Sequence, residues 1–299
     1  MNVYNFMNNK KLNSWLLASR PKTLLAAVVP VMVGTSLAVN SGKFIPLVSV
    51  VALVCSLLIQ VGTNFTNDLY DYFKGADTQL RKGPVRVLAS GLITIKEMKA
   101  GIIITFLLAF LFGLYLVYVG GLIILVIGIF SIIAGLAYTA GPYPLAYKGL
   151  GDIFVFMFFG LIGTMGTFYL HTNEVSLSSF LSSIPVGALI TNILVVNNYR
   201  DIEEDRQAGK NTLAVKLGKT FTQYQFIFLI VVSFLTPLAL FLFFDFNNWI
   251  FLPYLTLPAA YNITKMLFTL DGIQLNKTLE LTAKLSALYG ILFSAGLIL

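Results

Sequence analysis

Residues 101–138 read GIIITFLLAFLFGLYLVYVGGLIILVIGIFSIIAGLAY, a stretch in which tyrosine is the only side chain that can ionise. A membrane-spanning helix needs about 20 apolar residues, so these 38 residues nearly suffice for two crossings. The whole chain has the same character, because 57% of its 299 residues are hydrophobic and only 11% are charged. An ordinary soluble domain carries about 25% charged residues. The sequence therefore predicts an all-α integral membrane protein.

Apolar runs of about 17 or more residues predict about nine transmembrane helices. They lie near 23–40, 45–66, 99–118, 121–138, 152–170, 180–198, 222–243, 248–264 and 282–298. Of the 20 lysines and arginines, only Lys43 falls outside the N-terminus and the even-numbered connections. Because positive residues concentrate on the cytoplasmic side, we expect the N-terminus in the cytoplasm and the C-terminus outside. The net charge of +7 thus reflects topology, and we expect no nucleic-acid partner.

Two predicted connections, 67–98 and 199–221, are long and polar, and they follow the second and the sixth predicted helix. Four helices separate these equivalent features, which indicates two four-helix pseudo-repeats plus a ninth helix. Membrane transport folds often place their polar site where such repeats meet. No linker-like composition interrupts the chain, so we expect residues 1–299 to form a single intramembrane domain.

Carboxylates and amides mark the ends of the second and the sixth predicted helix. The first end reads NFTNDLYDYFKGAD (residues 64–77), and the second reads NNYRDIEED (residues 197–205). If the first helix continues, Asn67 and Asp71 stand four residues apart, with Asn64 and Asp68 on nearly the same face. Asp201 and Asp205 share a face in the same way.

Carboxylates four residues apart repel each other unless a cation lies between them. Mg²⁺ prefers oxygen ligands and commonly combines one or two protein carboxylates with substrate phosphates. Acids at membrane depth are costly, which favours a functional role; for Asp77, Glu203 and Glu204 a merely solvated loop is the alternative. The predicted metal ligands are Asn67, Asp68, Asp71, Asp77, Asp201 and Asp205.

Basic residues surround both acidic groups, with Lys74 and Arg86 in the first connection and Arg200 and Lys210 in the second. Metal and basic groups together can stabilise the charge that accumulates on a diphosphate leaving group. Others of the basic residues serve only to set topology. His171, the single histidine, falls on the predicted outer side, away from the acids.

Several short motifs, in this order and spacing, resemble those of the UbiA-type intramembrane aromatic prenyltransferases. They are RPKT (20–23), NDLYDYFKGAD (67–77), GPVR (83–86), YTAGP (138–142), GLGD (149–152) and NNYRDIEEDRQAGKNTL (197–213). Within that family, the resemblance is greater to the branch that prenylates 1,4-dihydroxy-2-naphthoate. One departure is Asp77, which lies six residues after Asp71, whereas many relatives place the third acid four residues after the second.

The resemblance implies Mg²⁺-dependent transfer of a polyprenyl group from polyprenyl diphosphate to 1,4-dihydroxy-2-naphthoate. Diphosphate and CO₂ would leave, and the product would be a demethylmenaquinone for menaquinone biosynthesis. The resemblance further implies a bacterial plasma membrane location and an active site facing the cytoplasm. The prenyl tail would occupy an apolar channel open to membrane lipid.

The residues that match the family pattern receive roles from the resemblance. The expected catalytic residues are Asp71, Asp201, Asp205, Arg86, Lys210 and Asp152. Asp152 would orient the acceptor ring or act as a base, with a helix N-cap as the alternative. Aromatic faces of Tyr138, Tyr199 and Phe159 would stabilise an allylic cation. The expected substrate-binding residues are Asn64, Lys22, Lys74, Arg86, Tyr138, Asn197, Asn198, Tyr199, Arg200 and Lys210.

Two alternatives stay open at the level of sequence. Acids among many membrane helices could line the ion path of a transporter or channel, although here they gather at helix ends rather than at mid-membrane. The second alternative is a sister prenyltransferase whose acceptor is hydroxybenzoate, homogentisate, haem or chlorophyllide. Both alternatives differ from the naphthoate interpretation in the substrates that the protein would process.

Overall fold

The computed structural model describes residues 3–75 and 86–299, and every regular element within those ranges is helical. The α-helices are α1 (Val3–Ser19), α2 (Pro21–Asn40), α3 (Pro46–Phe73), α4 (Ile95–Gly120), α5 (Leu122–Ala137), α6 (Gly151–Val155), α7 (Gly166–Thr172), α8 (Leu177–Arg200), α9 (Ile202–Gln207), α10 (Leu213–Phe243), α11 (Leu257–Thr269) and α12 (Leu275–Ile298). Three segments are 3₁₀-helical: Leu145–Lys148, Asn248–Thr256 and Gly272–Gln274. A π-helical segment, Phe156–Met165, joins α6 and α7 into one helical span.

Within the described ranges, seven helical spans are long and apolar enough to cross a membrane. α5 is apolar but has only 16 residues. Each of the nine ranges predicted from hydropathy overlaps a helical element, and the eighth consists of the 3₁₀ segment Asn248–Thr256 followed by α11. The prediction of an all-helical, multi-pass membrane protein is therefore confirmed.

Polar residues extend several helices beyond their predicted ends. α3 continues from residue 66 to Phe73, so the amide and acid side chains of this region stand on a helix. α10 begins at Leu213, nine residues before the predicted start at 222, and accommodates a kink at Gly218, whose φ is 82°. α1 was not predicted, because its sequence is polar and mixed. Trp15 packs on Phe65 at 5.2 Å between ring centroids, which holds α1 against α3.

The helices pack in two groups that face each other across a space. In the first group, α8 contacts α10, α12, α2 and the π-helical segment, and it contributes much of the largest buried apolar cluster. α3, α4 and α5 form the second group. The backbones of the π-helical segment and α8 touch, because a Cβ atom at Gly160 would lie 2.7 Å from the Cα atom of Gly187.

The acidic helix ends lie at the same end of the bundle, which we call the charged end. It is formed by the end of α3, the 3₁₀ segment Leu145–Lys148, and the break between α8 and α9 at Asp201. His171 lies at the opposite end, where its Nδ1 atom accepts the backbone N–H of Ile45 at 3.1 Å. The structure thus places His171 and the acids at opposite ends of the helix bundle, as the hydropathy pattern predicts.

Candidate active site

A cavity of about 1140 Å³ separates the two helix groups. This volume exceeds the roughly 300–1,000 Å³ of most small-molecule pockets. Asp71 and Ala52 both line the cavity, and the α3 helix rises by about 28 Å between them. The hydrocarbon core of a bilayer is about 30 Å thick, so the cavity is nearly as long as such a core is thick.

The two ends of the cavity differ in chemistry. At the charged end, which forms the mouth, the lining includes Asn67, Asp71, Arg86, Asn197, Asn198, Asp201, Asp205 and Lys210. Deeper in the membrane, the lining includes Phe110, Leu114, Val117, Ile124, Phe158, Ile162 and Leu170. A ligand that fills this cavity must therefore combine a polar or anionic group with a long apolar portion.

Asp71 is buried at the mouth and has three polar neighbours. Its Oδ2 atom accepts Arg86 Nη2 at 2.8 Å, and its Oδ1 atom accepts the Tyr147 hydroxyl at 2.9 Å. The Lys210 ammonium lies 3.4 Å from Oδ1. The continued α3 helix brings Asn67 beside this group, where its Oδ1 atom accepts the Thr139 hydroxyl at 2.8 Å.

Asp201 terminates α8 and is held by the residue that precedes it. Arg200 donates from Nε and Nη2 to the two carboxylate oxygens of Asp201, at 2.6 Å each. The same guanidinium donates to Asn276 Oδ1 at 2.6 Å and to Asn197 Oδ1 at 2.9 Å. Such a paired, bidentate arrangement fixes the carboxylate in one orientation.

Lys210 connects the two acidic groups, since its Nζ atom also lies 3.8 Å from Asp205 Oδ1. The structure therefore brings together the two helix ends that the sequence predicts to meet. Lys74 stands on the other side of Asp71, where its ammonium donates to the Thr139 carbonyl oxygen at 2.8 Å. Burial lowers the pKa of the Lys74 ammonium, while the Asp71 carboxylate acts in the opposite direction.

Asp152 lines the cavity further along the wall, within the first turn of α6. Leu150, not Asp152, occupies the N-cap position, so the alternative of an N-cap role for Asp152 is wrong. The Asp152 carboxylate is 5% exposed and accepts Gln225 Nε2 at 3.3 Å. Tyr138 and Phe159 also line the cavity.

Several residues predicted to face substrate do not line the cavity within the described part of the chain. Asp68 is buried outside the lining, because it is rotated away from the face shared by Asn67 and Asp71. The Tyr199 hydroxyl accepts Gln223 Nε2 at 3.0 Å, so its ring belongs to the α8–α10 contact. Tyr199 therefore does not face the cavity, where its ring was expected to stabilise an allylic cation.

Arg200 and Lys74 stand behind the lining and act on it through Asp201 and Thr139. Asn64 lines the cavity, yet its Nδ2 atom donates to the Ser19 carbonyl at 2.9 Å and so joins α3 to α1. Lys22 lines the rim and lies 3.2 Å from Glu280. Asp77 falls outside the described residues.

Sequence reasoning missed four polar partners that complete the site. Tyr147 and Thr139 bind Asp71 and Asn67, while Asn276 and Gln225 bind Arg200 and Asp152. Each partner is more than 70 positions away from the residue that it contacts, so no local spacing identifies it. For Thr139 and Tyr147, the only signal in the sequence is their place in or next to the YTAGP and GLGD motifs.

The mouth offers oxygen donors that suit a hard divalent cation. Among the described residues, no three His, Cys, Asp or Glu side chains stand close enough to hold a metal ion by themselves. Asp71 and Asp205 nevertheless approach the same Lys210 ammonium, and Asn67 and Asp201 open on the same cavity. Mg²⁺ commonly completes such a partial donor set with substrate phosphate oxygens. The residues therefore fit a metal ion that binds together with a diphosphate.

The fold and the cavity define a class of protein: a multi-pass helical membrane protein whose charged mouth leads into a long apolar chamber. The chain belongs to the UbiA prenyltransferase family, whose sequence model matches residues 27–286. This membership excludes the transporter alternative.

Two curated bacterial proteins and one solved structure illustrate the similarity. The chain is 40% identical to the 1,4-dihydroxy-2-naphthoate octaprenyltransferase of Escherichia coli (strain K12), over 96% of this chain and 95% of that protein. It is 37% identical to the Haemophilus influenzae protein of the same name, over 98% of both chains. A UbiA homolog from Archaeoglobus fulgidus, solved with GPP and Mg²⁺, has the same fold, with a TM-score of 0.68 at 18% identity over 95% of this chain and 99% of that one.

Proposed function

We propose that this enzyme transfers a polyprenyl group from polyprenyl diphosphate to 1,4-dihydroxy-2-naphthoate. Diphosphate and CO₂ leave, and the product is a demethylmenaquinone for menaquinone biosynthesis. The observation that carries the proposal is the single cavity, about 28 Å long, in which a charged mouth opens into an apolar chamber. The names of the 37–40% identical relatives support the choice of acceptor.

The mouth would bind the diphosphate. Arg86 and Lys210 supply positive charge, and Asn67, Asp71, Asp201 and Asp205 supply oxygen ligands for Mg²⁺. The metal, when bound, neutralises the charge that accumulates on the leaving diphosphate. Arg86 and Lys210 contact Asp71, so their positive groups would be within reach of diphosphate oxygens beside a metal ion that Asp71 would hold.

The apolar chamber would hold the prenyl tail, which needs a surface free of charge and shielded from water. As the allylic C–O bond loosens, positive charge develops on the allylic carbon. The Tyr138 and Phe159 rings line the cavity and would stabilise this charge by about 0.5–2 kcal/mol each. The far part of the tail would continue towards membrane lipid.

The acceptor would lie beside Asp152. Its buried carboxylate, oriented by Gln225, can accept a hydrogen bond from a hydroxyl of the dihydroxynaphthoate ring. This contact increases electron density at the ring carbon that forms the new bond to the prenyl group. If the prenyl group adds at the ring carbon that carries the carboxylate, the electrons of the bond from that carbon to the carboxylate return to the ring as CO₂ leaves, and aromaticity is restored without loss of a proton from carbon.

We further propose the topology and location that the charge pattern predicts. The single domain, residues 1–299, crosses a bacterial plasma membrane nine times as two four-helix repeats plus a ninth helix. The N-terminus and the charged end face the cytoplasm, because nearly all lysines and arginines lie on that side. A reporter fused after Leu299 should accordingly be accessible from outside the cell, and a protected reporter would contradict the nine crossings.

The acceptor assay tests the proposed function directly. Purified enzyme in lipid nanodiscs is incubated with labelled polyprenyl diphosphate, Mg²⁺ and one acceptor at a time: dihydroxynaphthoate, hydroxybenzoate or homogentisate. We expect a prenylated quinol and CO₂ from dihydroxynaphthoate alone. A product with hydroxybenzoate and none with dihydroxynaphthoate would overturn the assignment of the acceptor.

A further inference from the structure

Tyr147 contacts two charged residues of the mouth, Asp71 and Lys210, without lining the cavity. It lies in the 3₁₀ segment Leu145–Lys148, and only 7% of the residue is exposed. Its hydroxyl donates to Asp71 Oδ1 at 2.9 Å, while Arg86 donates to Oδ2 at 2.8 Å. Each oxygen of the carboxylate thus has a donor, so the Tyr147 hydroxyl can keep hold of Oδ1 when the Arg86 guanidinium moves away from Oδ2.

The ring of Tyr147 interacts with two ammonium groups. Lys74 Nζ lies 3.8 Å from the ring centroid, and Lys210 Nζ lies 4.9 Å from it. An aromatic face attracts cations at these distances. Because like charges repel, the two ammonium groups stay close together only where the Tyr147 ring and the Asp71 carboxylate offset that repulsion.

The backbone of the same segment is tied to the second acidic loop and to the cavity wall. The Tyr147 carbonyl accepts the N–H of Asn211, the residue that follows Lys210, at 3.0 Å. The N–H of Ala146 donates to the Tyr138 carbonyl at 2.9 Å. These hydrogen bonds therefore fix the position of Tyr147 relative to Asp71, Lys210 and Tyr138.

We propose, on the basis of the proposed function, that Tyr147 is a positioning residue for the diphosphate subsite. Its hydroxyl orients Asp71, and its ring keeps the ammonium groups of Lys74 and Lys210 at the mouth. When a diphosphate draws Lys210 away from Asp71, the ring retains the ammonium group beside the subsite. A diphosphate with its metal ion then meets a preformed arrangement.

Two substitutions separate the hydroxyl from the ring: Tyr147→Phe and Tyr147→Leu. Loss of a hydrogen bond to a charged group should raise the KM for polyprenyl diphosphate and the half-saturating Mg²⁺ concentration about tenfold in Tyr147→Phe. In Tyr147→Leu, loss of the ring should raise both quantities by a further factor of about 3–10. The KM for the acceptor should stay at the wild-type value in both variants.

The exposed Tyr143 provides a matched control, since it is 59% exposed and lies 5.2 Å from Lys148. Tyr143→Phe and Tyr143→Leu should behave as wild type. A second readout needs no turnover: thermal stabilisation of each variant by Mg²⁺ with geranyl S-thiolodiphosphate, a donor analogue that transfers poorly. Without the analogue, Tyr147→Phe should unfold within about 5 °C of the wild type, and it should gain less stabilisation from the analogue than the wild type does.

The inference is overturned if both Tyr147 variants keep the wild-type donor KM and the wild-type gain in thermal stability. It is equally overturned if the KM values for both substrates rise together with a lower melting temperature, because that pattern describes a purely structural residue. Failure of the proposed function looks different: wild-type enzyme transfers no prenyl group to any acceptor, while the thermal readout still decides the role of Tyr147.

Discussion

The two acidic groups at the charged end are held in contrasting ways. Asp71 shares its carboxylate among Arg86, Tyr147 and Lys210, which come from three separate parts of the chain. Asp201 instead gives both oxygens to the adjacent Arg200, whose side chain is fully buried. The Asp71 carboxylate can lose one partner and still keep the other two. The Asp201 carboxylate is instead fixed at the end of α8 by Arg200, and we call it the framework carboxylate.

This contrast indicates a division of labour within one mouth. A group whose partners are distant and shared can rearrange around an incoming anion. A carboxylate that its neighbour holds in place, such as Asp201, keeps a constant position relative to the helix that it ends. Both features are needed where a charged ligand must be bound and then released. Substitution of these residues and removal of the metal test this contrast.

Asp71→Asn and Asp201→Asn should each lower prenyl transfer by about a thousandfold or more, because both remove charge that the proposed metal site needs. The two variants should differ in stability. Asp201→Asn leaves the buried Arg200 without its counter-charge, so it should unfold more easily than Asp71→Asn. Asp271→Asn, at an exposed ion pair with Lys219, is the control and should keep wild-type activity. Full activity in either of the first two variants would refute the metal site.

Removal of divalent metal by EDTA should abolish activity, and added Mg²⁺ should restore it. The melting temperature should move by less than about 2 °C, because ligand-free protein gains little stability from a metal that binds only with diphosphate. Asp71 and Asp201 have cationic partners of their own in Arg86, Arg200 and Lys210. A large fall in melting temperature on chelation would show that the metal is structural instead.

Arg200→Met and Arg86→Met compare the two partners directly. Arg200→Met breaks a buried ion pair and should reduce the free energy of unfolding by about 3–5 kcal/mol. Arg86→Met should cost less, about 1–3 kcal/mol, because Tyr147 and Lys210 still contact Asp71. Chemical denaturation in detergent measures both values. Equal losses would remove the distinction between an exchangeable and a framework carboxylate.

Gln225→Leu should have the smallest effect of this series. Loss of one neutral donor to Asp152 should raise the KM for the acceptor about fivefold and leave the donor KM unchanged. Gln223→Leu removes a similar amide from the same helix, one that contacts Tyr199 rather than the cavity. This control should leave the acceptor KM at the wild-type value. A change in donor KM alone would argue against an acceptor subsite at Asp152.

Hydropathy and charge were sufficient to predict the helical membrane fold, the order of the helices and the meeting of the two acidic helix ends. The number of consecutive apolar residues decides whether a segment can cross the membrane, and this number can be counted directly in the sequence. Helix ends were less accurate where polar residues are buried. α3 continues to Phe73 because Asn67 and Asp71 find partners across the cavity mouth.

Side-chain direction and distant partners could not be predicted. Asp68 follows Asn67 by one position, so it points about 100° away around the helix and leaves the cavity face. The break at Asp201 places α9 apart from α8, although the acid spacing suggested a continuous helix. Tyr147 meets Asp71 only because the chain returns to the charged end after two spans.

The close backbone contact between Gly160 and Gly187 has a mechanical consequence. Because no side chain lies between them, the π-containing span and α8 pack backbone to backbone at this point. Asp152 stands at the start of that span and Asp201 at the end of α8, so this backbone contact fixes the spacing between the two acids.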